Sequence, residues 1–143
     1  MIIDPKCVAR VKNALPAPEH CRYCGGGVHL CGNEEKYGKP YGDWPYCYLC
    51  GFCGAYVGVH PGTDIPLGTL ATDRLRKDRS RAHQLFDPLW KSKRMNRSAA
   101  YKLLAEALNI DVARCHISWF DREELEQVFI IAPRLCKQYG VKG

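Results

Sequence analysis

The chain has no long hydrophobic run. Nothing in it approaches the ~18 consecutive apolar residues of a membrane-spanning helix, so no transmembrane segment is expected. The opening Met1-Ile2-Ile3-Asp4-Pro5-Lys6 lacks the apolar core of a signal peptide, which removes the expectation of secretion. Without a secretory route, and with an odd count of nine cysteines, a disulfide framework is not expected either. There is no internal repeat beyond one doubled cysteine motif, and no catalytic constellation at recognisable spacing. These absences point to a soluble cytoplasmic protein. Its hydrophobic content of 46 % is enough for a core, and 143 residues suit one domain or a small metal module fused to a helical one.

The strongest positive signal is a pair of C-x-x-C-G turns, Cys21-Arg22-Tyr23-Cys24-Gly25 and Cys50-Gly51-Phe52-Cys53-Gly54. Two cysteines two residues apart aim both thiolates at one ion, and the glycine lets the backbone turn tightly enough for its amides to face the sulfurs. Cys21, Cys24, Cys50 and Cys53 thus form the expected ligand set of one structural Zn2+ in a zinc ribbon. Cys47-Tyr48-Leu49-Cys50-Gly51 is an overlapping turn of the same kind, so Cys47 and Cys50 remain an alternative second pair. The pair Cys50 and Cys53 is preferred because Cys53-Gly54 runs directly into a strand. His29, Cys31 and His60 are spare ligand types, read as structural or incidental because a four-cysteine site is already closed. Cys7 reads as a small packed residue. A thioredoxin-like redox site would need one pair ahead of a helix, not two glycine knuckles.

The expected fold is α+β, with an N-terminal zinc ribbon, a small antiparallel sheet, packed on a C-terminal helical domain of three to four helices. Residues 1–20 form an arm with apolar Val8, Val11 and Leu15, closed by Pro16-Ala17-Pro18. Residues 21–66 form the ribbon, with strands at Val28-His29-Leu30, along the alternating Trp44, Tyr46 and Tyr48, and at Ala55–Val59. Residues 67–139 form a basic helical domain and residues 140–143 a basic, frayed tail. Thr69 is the expected N-cap of a first helix with Leu75, Ala82, Phe86 and Leu89 on one face, joined by Ala71 and Leu85. Asp87-Pro88 reads as the cap and first residue of a short second helix. Asn96 should cap a third, roughly 97–109, burying Ala100, Leu103, Leu104, Ala107 and Leu108. Cys115–Phe120 reads as a short strand or a tight connection. Asp121 and Glu124 make a capping pair for a last helix, 122–138, burying Leu125, Val128, Phe129, Ala132 and Leu135, which Pro133 should kink or end early.

The net charge of +6 is concentrated. Between Asp73 and Arg97 stand nine Lys and Arg against three Asp, while the rest of the chain is neutral. That is an electrostatic footprint for a polyanion or an acidic protein. Arg74, Lys77 and Arg81 fall together beside the apolar face of the first helix, within ~60° of arc. Lys91, Lys93, Arg94 and Arg97 follow.

Several stretches together resemble a known family. They are Cys-x-x-Cys-Gly at 21–25, Cys53-Gly54-Ala55-Tyr56-Val57-Gly58 with His60, and Gly62-Thr63 followed by Pro66-Leu67-Gly68-Thr69-Leu70. Ala82-His83, Phe86-Asp87-Pro88-Leu89-Trp90, Ala100-Tyr101 and Cys115-His116-Ile117 complete the set. The chain is similar over roughly residues 21–130 to small zinc-finger-containing proteins of unknown function met in phages, prophages and other mobile elements. The resemblance implies Cys21, Cys24, Cys50 and Cys53 as zinc ligands and an accessory protein acting in a bacterial host cell. Cys47 departs from the usual pattern. No activity comes with the family.

Three functions fit these residues. In the first, Arg74, Lys77, Arg81, Lys91, Lys93, Arg94 and Arg97 contact the phosphates of DNA or RNA, with Tyr41, Trp44 or Tyr48 free to stack on unpaired bases. In the second, the same basic surface meets an acidic host protein, such as a polymerase or a defence nuclease, as an inhibitor or adaptor. In the third, His60, His83, Asp87 and His116 converge as a metal-dependent nuclease. Nothing in their spacing requires them to meet, and Asp87 as a cap would not share a helix face with His83. The expected role is binding, not catalysis.

Overall fold

The computed structural model describes residues 1–142. The chain divides into two compact units, Met1–Asp73 and the segment from Arg74 onward.

In the first unit, Asp4 caps a single helical turn, α1 (Pro5–Arg10), by accepting the amide of Lys6, and Pro5 occupies the first helical position. α1 buries none of its residues. It is nonetheless tied down, because the Asp4 amide donates to the Gly62 carbonyl at 2.8 Å. The Cys7 side chain lies so close to Gly62 that a Cβ there would come within 2.6 Å of its sulfur. Gly62 also has φ of +78°, so both the packing and the backbone require glycine.

Three strands follow, β1 (Val28–Gly32), β2 (Tyr46–Cys50) and β3 (Tyr56–Gly58), joined in an antiparallel sheet of order β1-β2-β3. The hairpin between β1 and β2 carries a one-turn helix, α2 (Glu34–Tyr37), which Gly38 ends in the left-handed conformation. Side chains alternate between the faces of a strand. Tyr48, Cys50 and Val57 therefore join Cys21, Ala55, Val59 and Leu70 in one buried cluster. Cys47, Leu49 and Tyr56 form a smaller one on the other face, with Cys31 packed against it. After the sheet, Ala71 pairs with Tyr56 through both of its backbone groups, at 3.0 and 3.1 Å. Thr69 is consequently not a helix cap, as its residue type had suggested. This ladder keeps the backbone extended until α3 (Asp73–Phe86) begins.

From Arg74 onward the chain is helical, with α3 followed by α4 (Pro88–Lys91), α5 (Arg97–Leu108) and α6 (Arg122–Gln138). Two 3-10 turns follow α5, Val112–Arg114 and Ile117–Trp119, and the second forms the tight connection within Cys115–Phe120. Phe86, Leu89, Leu104, Ile117, Leu125 and Val128 are fully buried. The Phe86 and Tyr101 rings meet edge to face at 4.8 Å. Asn96 caps α5, its Oδ1 accepting the Ala99 amide at 2.8 Å. The buried stripe of α5 is Ala100, Tyr101, Leu104 and Ala105, so Ala107 faces solvent and Leu103 and Leu108 are only half-buried. Tyr101 takes the place because its ring packs on Phe86.

Asp121 and Glu124 form the capping box of α6, with the Glu124 carboxylate accepting the Asp121 amide at 2.9 Å. Pro133 does not end this helix, which runs on to Gln138. Pro133 is exposed, so its missing amide falls on the wet side of the helix, where the cost is smallest. Nor is residue 140 the start of a frayed tail. Gly140 at φ +66° lets Val141 donate back to the Cys136 carbonyl at 2.7 Å and bury its side chain, a Schellman ending. Only Gly143 of the expected tail lies outside the described residues.

The architecture is α+β, with the strands N-terminal and the longer helices C-terminal. No helix among the described residues is long and apolar enough to cross a membrane. No disulfide joins the nine cysteines, all of which lie among the described residues. Truncating the fully buried ring with Phe86→Ala removes a transfer term and opens a cavity, and should destabilise the helical unit by about 3–5 kcal/mol in urea or thermal unfolding followed by circular dichroism.

Candidate metal centre

The two knuckles repeat the same backbone scheme. In the first, the Cys21 carbonyl accepts the Gly25 amide at 2.8 Å and the Cys21 amide donates to the Gly26 carbonyl at 2.7 Å. In the second, the Cys50 carbonyl accepts the Gly54 amide at 3.2 Å and the Cys50 amide donates to the Ala55 carbonyl at 2.9 Å. Gly25 and Gly54 sit at φ +76° and +79°, which is why each motif ends in glycine. The turn leaves further amides facing sulfur, with Tyr23 donating to Cys21 Sγ and Gly26 to Cys24 Sγ, both at 3.4 Å.

The four sulfurs converge. Cys21 Sγ lies 3.5 Å from Cys53 Sγ, and Cys24 Sγ lies 3.5 Å from Cys50 Sγ. Tetrahedral zinc with sulfur bonds of about 2.3 Å holds its sulfurs about 3.8 Å apart, so the cluster has the right dimensions for the ion. Each knuckle contributes one buried and one exposed cysteine: Cys21 and Cys50 are buried, Cys24 and Cys53 exposed. The amides of Cys53 and Phe52 hold the Cys50 thiol down at about 6, so this ligand is a thiolate at neutral pH. Burial opposes ionisation of Cys21, yet the amides of Cys24 and Tyr23 and the neighbouring thiols leave it lowered overall. Cys24 and Cys53 are raised, because an amide bond at each is outweighed by the neighbouring sulfurs and by desolvation. A dication at the centre reverses that repulsion and makes all four thiolates ligands.

The overlapping turn is resolved by the sheet. Cys47 lies within β2, directly opposite Cys31 of β1, and its Sγ is 4.0 Å from Cys31 Sγ. It stands three positions from Cys50 along a strand, hence on the opposite face. Cys50 and Cys53 supply the second pair.

A family model described as a zinc-finger-containing domain, DUF3268, matches residues 17–134. The chain belongs to this family. No curated protein and no solved structure was found to match it. The cysteine cluster and the family together point to a bound zinc ion.

In this zinc-finger-containing domain the remaining candidate residues are placed as follows. Arg74, Lys77, Arg81, Lys91, Lys93, Arg94 and Arg97 are all exposed. Arg74 makes a long ion pair with Asp78 at 3.8 Å. The Arg81 guanidinium lies over the Phe129 ring at 4.5 Å, and Arg97 lies over Tyr101 at 4.7 Å and Trp90 at 5.9 Å. Lys91 is also over Trp90, at 5.7 Å. The other two basic residues of the stretch differ: Arg76 is half-buried, and Arg79 is buried with its Nε donating to the Phe120 carbonyl at 2.9 Å.

The ribbon aromatics are mostly not free to stack. Tyr48 is buried, its hydroxyl donating to the Asp64 carbonyl at 2.6 Å. The half-buried Trp44 donates its indole to the Thr63 carbonyl at 2.8 Å. Both pack the core because they alternate on its face of β2 and the segment leading into it. Tyr41 stays open, at 71 % exposure. The sequence reading overlooked Phe52, which stands 84 % exposed on the second knuckle. Its place between two ligand cysteines was the available signal.

Asp87 stands at the N-cap position of α4 with Pro88 first in the helix, as expected, but its side chain makes no capping hydrogen bond. Its backbone is helical, with its amide donating to the His83 carbonyl at 2.8 Å. The carboxylate instead lies 3.2 Å from His83 Nδ1 and accepts the Trp90 indole at 3.3 Å. His116 stacks on Trp119 at 4.0 Å. His60 belongs to the first unit, where burial lowers its pKa. Cys115 and Cys136 are buried with raised pKa values, Cys115 at about 11, which suits packed thiols and not nucleophiles.

Cys24 is exposed, so Cys24→Ser perturbs little besides the metal. It should release the ribbon zinc and melt the sheet unit, whereas Cys47→Ser should keep that zinc. Metal analysis beside circular dichroism checks both, and zinc lost from Cys47→Ser but kept by Cys24→Ser would reverse the assignment.

Proposed function

We propose that this protein binds nucleic acid, DNA or RNA, through the phosphates, using Arg74, Lys77, Arg81, Lys91, Lys93, Arg94 and Arg97. The zinc is structural, and the protein serves as an accessory factor of a phage or other mobile element in the cytoplasm of a bacterial host. The observation that carries this reading is that all seven side chains are exposed, in the stretch that holds the whole positive excess of the chain. Phosphate binding needs cations open to solvent, with counterion release supplying the affinity. Contacts of this kind fix position on the backbone and carry no base sequence directly.

The second reading, an acidic host protein as partner, is favoured by a different observation. Arg81, Lys91 and Arg97 lie against Phe129, Trp90 and Tyr101, and cations on aromatic rings are a surface that protein interfaces use. Catalysis is the weakest reading. The Asp87 carboxylate is committed to both His83 and Trp90, a bonding pattern that accounts for the pair without a reaction.

Affinity for single- and double-stranded DNA and RNA, measured against salt, tests the proposal. Binding should weaken steeply with salt. Arg74→Glu with Arg81→Glu should lower affinity and reduce the slope of log K against log salt by about 2 for duplex DNA. The fold should be retained to within about 1 kcal/mol, the loss of one cation–ring contact. Absence of binding at low salt removes the nucleic-acid reading and directs the basic surface to a protein.

A further inference from the structure

His29 and Cys31 are two residues apart on β1 and so share a face of the sheet, where they pair directly across from Leu49 and Cys47. The one-turn helix α2 brings Glu35 to the same place. His29 Nε2 is 3.6 Å from Glu35 Oε1, and the donor atoms of His29, Cys31 and Glu35 all lie within 4.8 Å of one another. Glu35 is not held there by the histidine alone. Asn33 exchanges two hydrogen bonds with Tyr41 at 2.9 and 3.0 Å, Lys36 donates to the Gly54 carbonyl at 2.9 Å, and the Tyr37 hydroxyl donates to that of Tyr56 at 3.0 Å. The helix is therefore seated on the sheet by its neighbours, which places Glu35 beside His29 and Cys31 of β1.

We propose that His29, Cys31 and Glu35 form a second site for a zinc-like divalent cation, on the sheet face opposite Cys50. One imidazole, one thiolate and one carboxylate suit a borderline-soft ion, and a thiolate ligand disfavours calcium and magnesium. Binding displaces the Cys31 proton to solvent as the metal–sulfur bond forms, while His29 coordinates as the neutral ring. The His29 and Glu35 side chains are 51 % and 50 % exposed, so the ion enters from solvent. Three protein donors leave a fourth position to water or an added ligand, the arrangement of an exchangeable site and not of a closed structural one. The site shares no residue with the four-cysteine centre, and the reading does not depend on what the basic surface binds.

The test is zinc stoichiometry of the full chain, kept under a phosphine reductant so that Cys31 and Cys47 stay thiols. The parent should take up two equivalents of zinc. His29→Ala with Glu35→Gln, and separately Cys31→Ser, should each take up one, held at the four-cysteine centre. Cobalt substitution reads the same sites by colour: the second equivalent should add a tetrahedral d–d band with the charge-transfer intensity of a single thiolate, absent from both variants. A parent that saturates at one equivalent, or variants that still bind two, would overturn the proposal.

Discussion

Four sulfurs drawn from two hairpin turns, separated by 25 residues of chain, meet within the span of one ion. The sheet unit depends on that meeting. Its three strands have five, five and three residues, and its largest buried cluster already includes two of the ligand cysteines. So small a sheet buries too little apolar surface to be stable alone. A structural zinc bound by thiolates contributes about 10–16 kcal/mol in zinc-finger peptides at neutral pH, and that binding energy is folding energy. Without the ion, the same geometry crowds four sulfurs that repel on ionising. The amides that lower Cys50 and Cys21 ready one ligand in each knuckle. The metal draws the other two out of their raised state.

Strand alternation then sorts the remaining cysteines. A C-x-x-C motif is a local signal and occurs twice in overlap around Cys50, so the motif alone left two registers open. The period of a strand decides between them, because Cys47 and Cys50 cannot face the same way along β2. That argument was available from the alternating Trp44, Tyr46 and Tyr48, whose face extends to Cys50 and excludes Cys47. The same alternation places His29 beside Cys31. What no local pattern contained was the one-turn helix that delivers Glu35, since its seat is made by Tyr56 and Gly54 from a later part of the chain. Read singly, His29 and Cys31 are only spare ligand types; the fold groups them with Glu35.

The helical unit was legible where local chemistry controls it. Asn96 and the Asp121–Glu124 pair begin α5 and α6 at the expected residues, because a cap satisfies amides within three positions of itself. It was illegible where a distant partner outweighs a local preference. Thr69 has a capping side chain but sits in a segment that Tyr56 holds extended through Ala71. Asp87 stands before the first proline of α4, but its carboxylate goes to His83 and Trp90 instead of to a backbone amide. Tyr101 displaces Ala107 from the buried stripe because Phe86 offers it a ring to meet. In each case tertiary packing selects among conformations that the local sequence permits.

Charge is the property for which sequence and surface must be separated. The stretch from Asp73 to Arg97 has nine basic residues, but Arg79 is spent on the Phe120 carbonyl inside the core, where no polyanion reaches it. On α3, Arg79 shares the buried face of Leu75 and Phe86 and not the face of Arg74, Lys77 and Arg81. With Arg76 also half-buried, seven exposed cations remain, against Asp78 as the only acid in an ion pair with one of them among the described residues. Three of the seven rest on aromatic rings, which narrows the rotamers of long side chains and lowers the entropy lost when they meet a ligand. The charge lies wholly in the segment after the zinc ligands. The metal can thus stabilise one unit while the other supplies the electrostatics, and the two contributions are separable by mutation because they share no residue.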